Sequence, residues 1–285
     1  MVLSCSGHPA AEDLPAGKQN KGTKGDVRMR VQELFDLTGQ VAIITGGGAG
    51  LGRQMALALA EAGANVILAA RKVERCEEAA REASALGARA VALRCDVTSP
   101  EEIASVVDRT LADFGRVDIL VNNAGTAWGA DPESHELAGW NKVFATNVTG
   151  LFLFCQAVGR QMIRQRRGKI INVASIAGMV GSPPEVLNAV AYSSAKGAVI
   201  NLTRDLAAKW ARHNIQVNAI APGYFPSGLT KVILERSSEP ILAVIPLGRL
   251  GGADDLKGAV VFLASRAADY VTGHILAVDG GILAI

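Results

Sequence analysis

A tyrosine and a lysine four positions apart, Tyr192 and Lys196, are the residues whose types and spacing suggest chemistry most directly. They lie within residues 190–210, where apolar side chains recur at helical spacing, so the phenol and the ammonium are expected on one helix face. A cation near a phenol lowers the phenol pKa, and such a tyrosine can exchange a proton with an alcohol or a carbonyl near neutral pH. Ordinary solvated or half-buried helix residues show the same spacing, so the pair needs support from the rest of the chain.

The composition is that of a soluble globular protein. The 285 residues are 49% hydrophobic and 20% charged, which suits one large α/β domain or two small ones. No apolar run is expected to reach the length of a membrane span. The net charge of +2 equals the excess of five bases over three acids in residues 1–30, so the remaining chain is formally neutral. A formally neutral chain lacks the excess of positive charge that is typical of proteins that bind nucleic acid or an acidic membrane.

The cysteines and histidines favour a reduced, metal-free protein. The four cysteines lack C-x-x-C spacing in a chain too long to need disulfides, which indicates free thiols and a cytoplasmic location. The four histidines are scattered, so no metal site is expected. These residues are Cys5, Cys76, Cys95, Cys155, His8, His135, His213 and His274.

Residues 1–30 are predicted to form a disordered leader, and residues 31–285 one folded domain. The leader is rich in Gly, Lys, Ala and Asp, has almost no large apolar side chains, and lacks the apolar core of a secretory signal. No internal repeat or linker divides the rest of the chain.

A glycine-rich turn between a strand and a helix indicates a cofactor site. Residues 41–45 are an apolar strand, the pattern T-G-x-x-x-G-x-G begins at Thr45, and residues 53–62 are rich in Ala and Leu. Glycines allow the backbone to approach a pyrophosphate at a helix N-terminus, as in dinucleotide-binding proteins. Taken alone, the turn is also compatible with a tight connection that binds nothing.

The end of the second strand, predicted at residues 65–70, indicates which dinucleotide is bound. An Asp or Glu there binds the ribose 2′-hydroxyl of NAD, whereas a base accommodates the 2′-phosphate of NADP. Here Ala70 occupies the acidic position and Arg71 and Lys72 follow it. Since guanidinium geometry matches a phosphate, NADP(H) is favoured and NAD(H) remains possible.

Strands and helices alternate along the chain, which predicts a parallel sheet with right-handed crossovers. The helix at residues 140–166 is expected to be interrupted at Gly150 and Gly159, and residues 224–250 to form a lid. Further strands are predicted at residues 88–95, 117–121, 169–174, 215–220 and 275–278, and further helices at residues 73–86, 98–114 and 254–264.

Together these motifs resemble the short-chain dehydrogenase/reductase family over residues 35–285. The resemblance implies a single Rossmann-like, doubly wound, seven-stranded parallel sheet with helices on both faces. It also implies reversible hydride transfer between a nicotinamide and a secondary alcohol or ketone, in a homotetramer or a dimer. The motif residues are Thr45-Gly46-x-x-x-Gly50-x-Gly52, Asp96, Asn122-Asn123-Ala124-Gly125, Asn147, Ser175, Tyr192-x-x-x-Lys196 and Pro222-Gly223.

The resemblance also assigns roles. Tyr192 is the general acid/base, Ser175 bonds the substrate oxygen, and Asn147 holds a water that links Lys196 to solvent. Lys196 binds the nicotinamide ribose and lowers the Tyr192 pKa. Asp96 and Val97 contact adenine, and Ser227 replaces the usual threonine that bonds the carboxamide. The expected cofactor-binding residues are Thr45, Gly46, Gly48, Gly50, Leu51, Gly52, Arg71, Lys72, Asp96, Val97, Asn123, Ala124, Gly125, Tyr192, Lys196, Pro222, Gly223, Phe225 and Ser227.

Two departures from the family pattern weaken its finer implications. The gap from Ser175 to Tyr192 is longer than usual around residues 183–185, a loop that borders the substrate. Ala49 stands where some NADPH-preferring members carry a base, so the preference for NADP(H) rests on Arg71.

The substrate remains open between two classes. Residues 123–130, 183–185 and 225–227 most resemble gluconate 5-dehydrogenases, which favours a keto-sugar-acid or polyol substrate. The mainly apolar lid residues would suit the β-ketoacyl group of a 3-oxoacyl-[acyl-carrier-protein] reductase. A non-catalytic nucleotide-binding protein is the alternative of another class, and the intact set of Asn147, Ser175, Tyr192 and Lys196 argues against it. The expected partners are therefore a small molecule and further copies of the chain.

Overall fold

A sheet of seven parallel strands forms the centre of the protein. The structure is a computed structural model that describes residues 29–228, 230, 234 and 239–285. The strands lie in the order β3-β2-β1-β4-β5-β6-β7, which confirms the predicted doubly wound parallel sheet. They are β1 (Val41–Thr45), β2 (Asn65–Ala70), β3 (Ala90–Arg94), β4 (Ile119–Asn122), β5 (Gly168–Val173), β6 (Ile215–Pro222) and β7 (Ile275–Val278).

Helices connect the strands and cover both faces of the sheet. Short 3₁₀ turns join several of them, and one π-helical turn, Ala145–Gly150, lies between two α-helices. The α-helices whose bounds lie wholly within the described residues are α1 (Val31–Leu34), α2 (Gly50–Glu61), α3 (Val73–Ala85), α4 (Pro100–Phe114), α5 (Leu137–Phe144), α6 (Leu151–Gln165), α7 (Val190–Trp210) and α8 (Lys257–Ala264).

The sheet separates two hydrophobic cores. Ala42 and Ile44 of β1 pack with α2, α3 and α8, whereas Val41 and Ile43 belong to the core with α4, α6 and α7. Side chains alternate across a strand, so a strand that is covered on both faces must be apolar at every position. The uninterrupted apolar run that predicted β1 follows from this burial.

The long helical stretch after β4 differs from the sequence prediction in where it is interrupted. The helix continues past Gly159, where a Cβ would lie 2.7 Å from the Trp210 ring, so this glycine allows α6 and α7 to pack closely. The irregularity is the π-helical turn Ala145–Gly150, which contains Asn147 and ends at Gly150, the first of the two predicted interruptions. Single π turns within α-helices are frequent at functional sites.

The same helical run corrects the expectation about membrane spans. Leu137–Gln165 is long and apolar enough to cross a membrane by length and composition, with a mean hydropathy of 1.2. In its most apolar stretch of 18 residues, 44% of the residues are buried inside the protein. The core helix of a soluble protein can have the same length and composition.

The carboxyl ends of β1 and β4 form the point where the strand order reverses. Thr45 pairs with Asn122 across this junction. From β1 the chain moves outward to β3 and then returns to the other side of β1. In open α/β sheets, ligands bind in the crevice outside the carboxyl ends at such a point.

Two predictions fall partly outside the described residues. The leader at residues 1–30 is described only at residues 29 and 30, and the domain boundary there stays a prediction. In the expected lid at residues 224–250, the structure does not describe residues 229, 231–233 and 235–238.

Candidate functional site

Two adjoining cavities follow the carboxyl edge of the sheet. Their volumes are about 300 Å³ and 280 Å³, and they share Gly46, Ala49, Ala124 and Gly125 as common walls. The first, which we call the catalytic cavity, contains the predicted Ser175, Tyr192 and Lys196. The second, the adenosine-side cavity, lies at the ends of β2 and β3. Because they share these walls, the two cavities suit an extended ligand bound across the strand ends.

Ser175 and Tyr192 meet at the wall of the catalytic cavity. Ser175 lies two residues after the end of β5 and caps a short 3₁₀ turn, where its Oγ accepts a hydrogen bond from Ala177 N at 3.2 Å. Burial raises the pKa of the Tyr192 phenol, and a hydrogen bond with the Ser175 side chain opposes part of that rise. The phenol is therefore protonated at neutral pH.

Lys196 is almost fully buried beside Tyr192, with 5% of its surface exposed. Its Nζ donates a hydrogen bond to Val173 O at 2.6 Å and lies 5.6 Å from the centroid of the Tyr192 ring. Burial lowers the pKa of Lys196 to about 8. The net direction of the Tyr192 pKa is upward because burial of the phenol has the largest effect, and a lowering contribution from Lys196 stays a prediction.

Asn147 is buried within the π-helical turn and its side chain is occupied by one neighbour. Oδ1 accepts from Thr126 N at 2.8 Å, and Nδ2 donates to Thr126 O at 2.9 Å. This pair of bonds fixes the backbone that follows Gly125 in the wall of both cavities. A water held by Asn147 stays a prediction from the family resemblance.

The glycine turn has the shape that a dinucleotide requires. Gly46 and Gly50 adopt the left-handed conformation, with φ of +66° and +52°. A Cβ at Gly48 would lie 2.7 Å from Cys76 N, so the turn packs against the first turn of α3. Among the described residues, no side chain caps the N-terminus of α2. Its backbone N–H groups therefore suit a phosphate, and the residues present fit a pyrophosphate.

Two residues predicted to bind the cofactor lie behind the cavity walls. Thr45 Oγ1 accepts hydrogen bonds from Asn123 N and Ala124 N, both at 3.0 Å, and so joins β1 to the segment after β4. A Cβ at Gly52 would lie 2.3 Å from Gly46 O. Both residues build the turn. The other seventeen predicted cofactor-binding residues line one or both cavities, as does Ser175.

The adenosine-side cavity carries more positive charge than the sequence prediction assigned to it. Arg71 and Lys72 line it, and so does Arg75 of α3, which the prediction missed. The spacing of Arg71 and Arg75 by four residues was the available signal. Asp96 lies in the same cavity, where hydrogen bonds from Thr98 N and Oγ1 lower its pKa, with a smaller contribution from Arg71.

Thr230 is a second residue of the catalytic cavity that the prediction missed. Its Oγ1 lies 3.0 Å from Ser227 Oγ and donates to Phe225 O at 2.5 Å. Ser227 therefore presents its hydroxyl within a small hydroxyl network. The spacing of a serine and a threonine by three residues after Pro222 was the only signal in the sequence.

The described ranges offer little basis for other common site chemistries. They hold no group of three or more His, Cys, Asp or Glu side chains placed to bind a metal ion. Cys76, Cys95 and Cys155 are buried thiols. Burial raises their pKa to about 11, about 12 and about 12 respectively, which disfavours the reactive thiolate.

Comparisons with known proteins agree with this site. The profile of a family described as Enoyl-(Acyl carrier protein) reductase matches residues 46–283. The chain is 43% identical to the 2-dehydro-3-deoxy-D-gluconate 5-dehydrogenase of Dickeya dadantii, over 88% of this chain and 98% of that one. It is 38% identical to a 3-oxoacyl-[acyl-carrier-protein] reductase of Synechocystis, over 87% and 98%. The crystal structure of a gluconate 5-dehydrogenase from Burkholderia cenocepacia in complex with NADP and tartrate is 37% identical, with a TM-score of 0.85 over 90% of this chain and all of that one.

Proposed function

The chain belongs to the short-chain dehydrogenase/reductase family and is an NAD(P)-dependent oxidoreductase, and we propose that it interconverts a keto sugar acid and its alcohol with NADP(H). The observation that carries this proposal is the convergence of Ser175, Tyr192 and Lys196 on a cavity that begins at the glycine turn. A hydroxyl, a phenol and an ammonium supply two donors for a carbonyl oxygen and one proton, without a metal.

The catalytic residues act on the oxygen of the substrate. When bound, the nicotinamide cofactor supplies or accepts the hydride. The Ser175 hydroxyl and the Tyr192 phenol donate hydrogen bonds to the carbonyl oxygen, where negative charge develops. Because burial keeps the phenol protonated, Tyr192 is the proton donor in ketone reduction. The ammonium of Lys196 stabilises the phenolate that remains.

The preference for NADP(H) is supported by three bases in the adenosine-side cavity, Arg71, Lys72 and Arg75. We assign the 2′-phosphate to them, since guanidinium groups bind phosphate through two parallel hydrogen bonds. The backbone of Gly46, Gly48 and the α2 N-terminus would hold the pyrophosphate.

A sugar-acid substrate is supported by the relatives rather than by a resolved subsite. The Dickeya enzyme acts on a keto-deoxy sugar acid, by its name, and the Burkholderia structure contains tartrate, a hydroxy acid. We propose 5-keto-D-gluconate as the first test substrate for this chain.

One observation supports β-ketoacyl reduction as the second candidate. Met179 and Val180 follow the short turn after Ser175 and expose 41% and 47% of their surfaces. An acyl chain would find an apolar surface there, and the Synechocystis relative is named for that activity.

We also propose a homotetramer in the cytoplasm. Trp140 and Phe144 stack with ring centroids 4.8 Å apart and are only partly buried, and Phe152 of α6 is 39% exposed. These side chains support an interface formed by α5, α6 and α7, with a second interface at residues 282–285. Light scattering that gives the mass of a monomer would contradict this assembly.

The function is tested by following NADPH and NADH oxidation with 5-keto-D-gluconate, other keto sugar acids and an acetoacetyl thioester. We expect reduction of a keto sugar acid, with NADPH preferred. Reduction of the thioester alone would select the second candidate. Binding of NADPH without turnover of any ketone would indicate a non-catalytic protein.

A further inference from the structure

The side chain of Asn188 joins two segments that lead to residues of the catalytic cavity, Gly125 in one and Tyr192 in the other. Asn188 Nδ2 donates a hydrogen bond to Asp131 Oδ1 at 2.6 Å, and Ala130 N donates to Asn188 O at 3.2 Å. Ala130 and Ala189 form an isolated parallel β-bridge. We call residues 126–131 the entrance segment, and the side-chain bond between Asn188 and Asp131 the clasp.

The clasp closes a ring of backbone around one side of the site. The entrance segment starts directly after Gly125, which lines both cavities. On the other side, Asn188 stands four residues before Tyr192, which lines the catalytic cavity. The ring therefore runs from Gly125 through the entrance segment, across the clasp, and along the start of α7 to Tyr192.

The two ends of the entrance segment are held in different ways. Its first residue, Thr126, is fixed through both backbone groups by the buried Asn147. In the middle, Trp128 packs over Gly139, where a Cβ would lie 2.7 Å from the indole. Its last residue is Asp131, which is exposed and is held by the clasp. Release of the clasp therefore loosens the far end, which keeps the backbone bond from Ala130 N to Asn188 O, while the near end stays in place.

We propose that the clasp between Asn188 and Asp131 is a positioning device that sets the affinity for the ketone substrate. It holds the entrance segment beside the start of α7, and so orders the backbone next to Gly125, which lines the catalytic cavity. Ser175, Tyr192 and Lys196 have contacts of their own, so the chemical step is independent of the clasp. The proposal depends on the proposed function only for the identity of the ketone.

Kinetics of four variants test the proposal. We expect Asn188→Ala and Asp131→Ala each to raise KM for the ketone about tenfold, the scale of one hydrogen bond to a charged group. The value of kcat and the Kd of NADPH should stay within about twofold of wild type. Asn188→Asp should raise KM further, because two carboxylates then face each other. The exchanged pair Asp131→Asn with Asn188→Asp rebuilds the bond with donor and acceptor reversed, and should restore KM.

Hydrogen exchange tests the positioning role without reference to any substrate. Asn188→Ala should speed amide exchange at residues 126–131 and 186–189, and the exchanged pair should reverse this. Asp205→Ala, which removes an exposed ion pair with Lys209 further along α7, is the matched control. Unchanged exchange in Asn188→Ala would overturn the proposal, and so would faster exchange with an unchanged KM.

If wild type reduces another ketone and not 5-keto-D-gluconate, the substrate assignment fails and KM is measured with that ketone. If it reduces none, the proposed function fails and exchange alone decides whether the clasp positions the segment.

Discussion

The Lys196 ammonium is anchored by the carbonyl of Val173, at 2.6 Å, and not by the phenol of Tyr192, whose ring centroid lies 5.6 Å away. The end of β5 therefore holds the amine in place whether or not the phenol is ionised. Because burial lowers the Lys196 pKa to about 8, its charge is present at neutral pH and is lost in mildly alkaline solution.

Ketone reduction should therefore weaken above about pH 8. As the pH rises through the Lys196 pKa of about 8, the fraction of ammonium falls and the phenolate formed by Tyr192 loses its stabilising cation. Tyr192 itself remains protonated in this range, since burial raises its pKa. The measurement is kcat/KM for reduction against pH, at saturating NADPH. A profile that stays flat well above pH 8 would contradict the role given to Lys196.

Replacing Tyr192 with phenylalanine should remove turnover and spare cofactor binding. The ring and its packing survive while the proton donor is lost, so we expect kcat to fall by about 10²–10⁴. The Kd of NADPH, measured by fluorescence titration, should remain within about twofold of wild type. Ser175→Ala is the companion variant and should also lower kcat, since it removes a donor to the same oxygen. An active Tyr192→Phe protein would contradict the assignment of Tyr192 as the proton donor.

Arg75 should contribute to the preference for NADPH together with Arg71. Both arginines line the adenosine-side cavity, so Arg75→Ala and Arg71→Ala should each raise the Kd of NADPH about tenfold, the scale of a charge-assisted hydrogen bond. The Kd of NADH, which lacks the 2′-phosphate, should change little. Arg81→Ala, on an exposed part of α3, is the matched control. An equal rise in Kd for NADPH and NADH in Arg75→Ala would show that Arg75 does not bind the 2′-phosphate.

Much of the sheet was predictable because burial on both faces forces an apolar run. The strands at residues 41–45, 65–70 and 275–278 match the structure at both ends. The third strand, predicted at residues 88–95, is shorter because only residues 90–94 find a pairing partner along β2. Strand ends depend on the neighbouring strand, which residue types alone do not specify.

The irregular parts of the site were less predictable because they depend on contacts distant in sequence. The π-helical turn shifts hydrogen bonds by one residue, and no residue type requires that shift. Asn147 was predicted as a site residue from the family motif, yet its bonds to Thr126 appear only when the chain folds. The pKa of Tyr192 was predicted from its distance to Lys196 along the sequence, whereas the burial that dominates it comes from packing.

Asn147→Ala should destabilise the fold as well as the site. Asn147 is 1% exposed, and its side chain satisfies both backbone groups of Thr126. Leaving two such groups without partners costs about 1–3 kcal/mol each, so we expect the free energy of unfolding in urea to fall by about 2–6 kcal/mol. Asn147→Asp keeps the acceptor for Thr126 N but places a buried carboxylate oxygen against Thr126 O, so its loss should be at least as large. Asn141→Ala, on an exposed face of α5, should change stability by no more than about 0.5 kcal/mol. If Asn147→Ala proves as stable as Asn141→Ala, the bonds to Thr126 do not hold the entrance segment.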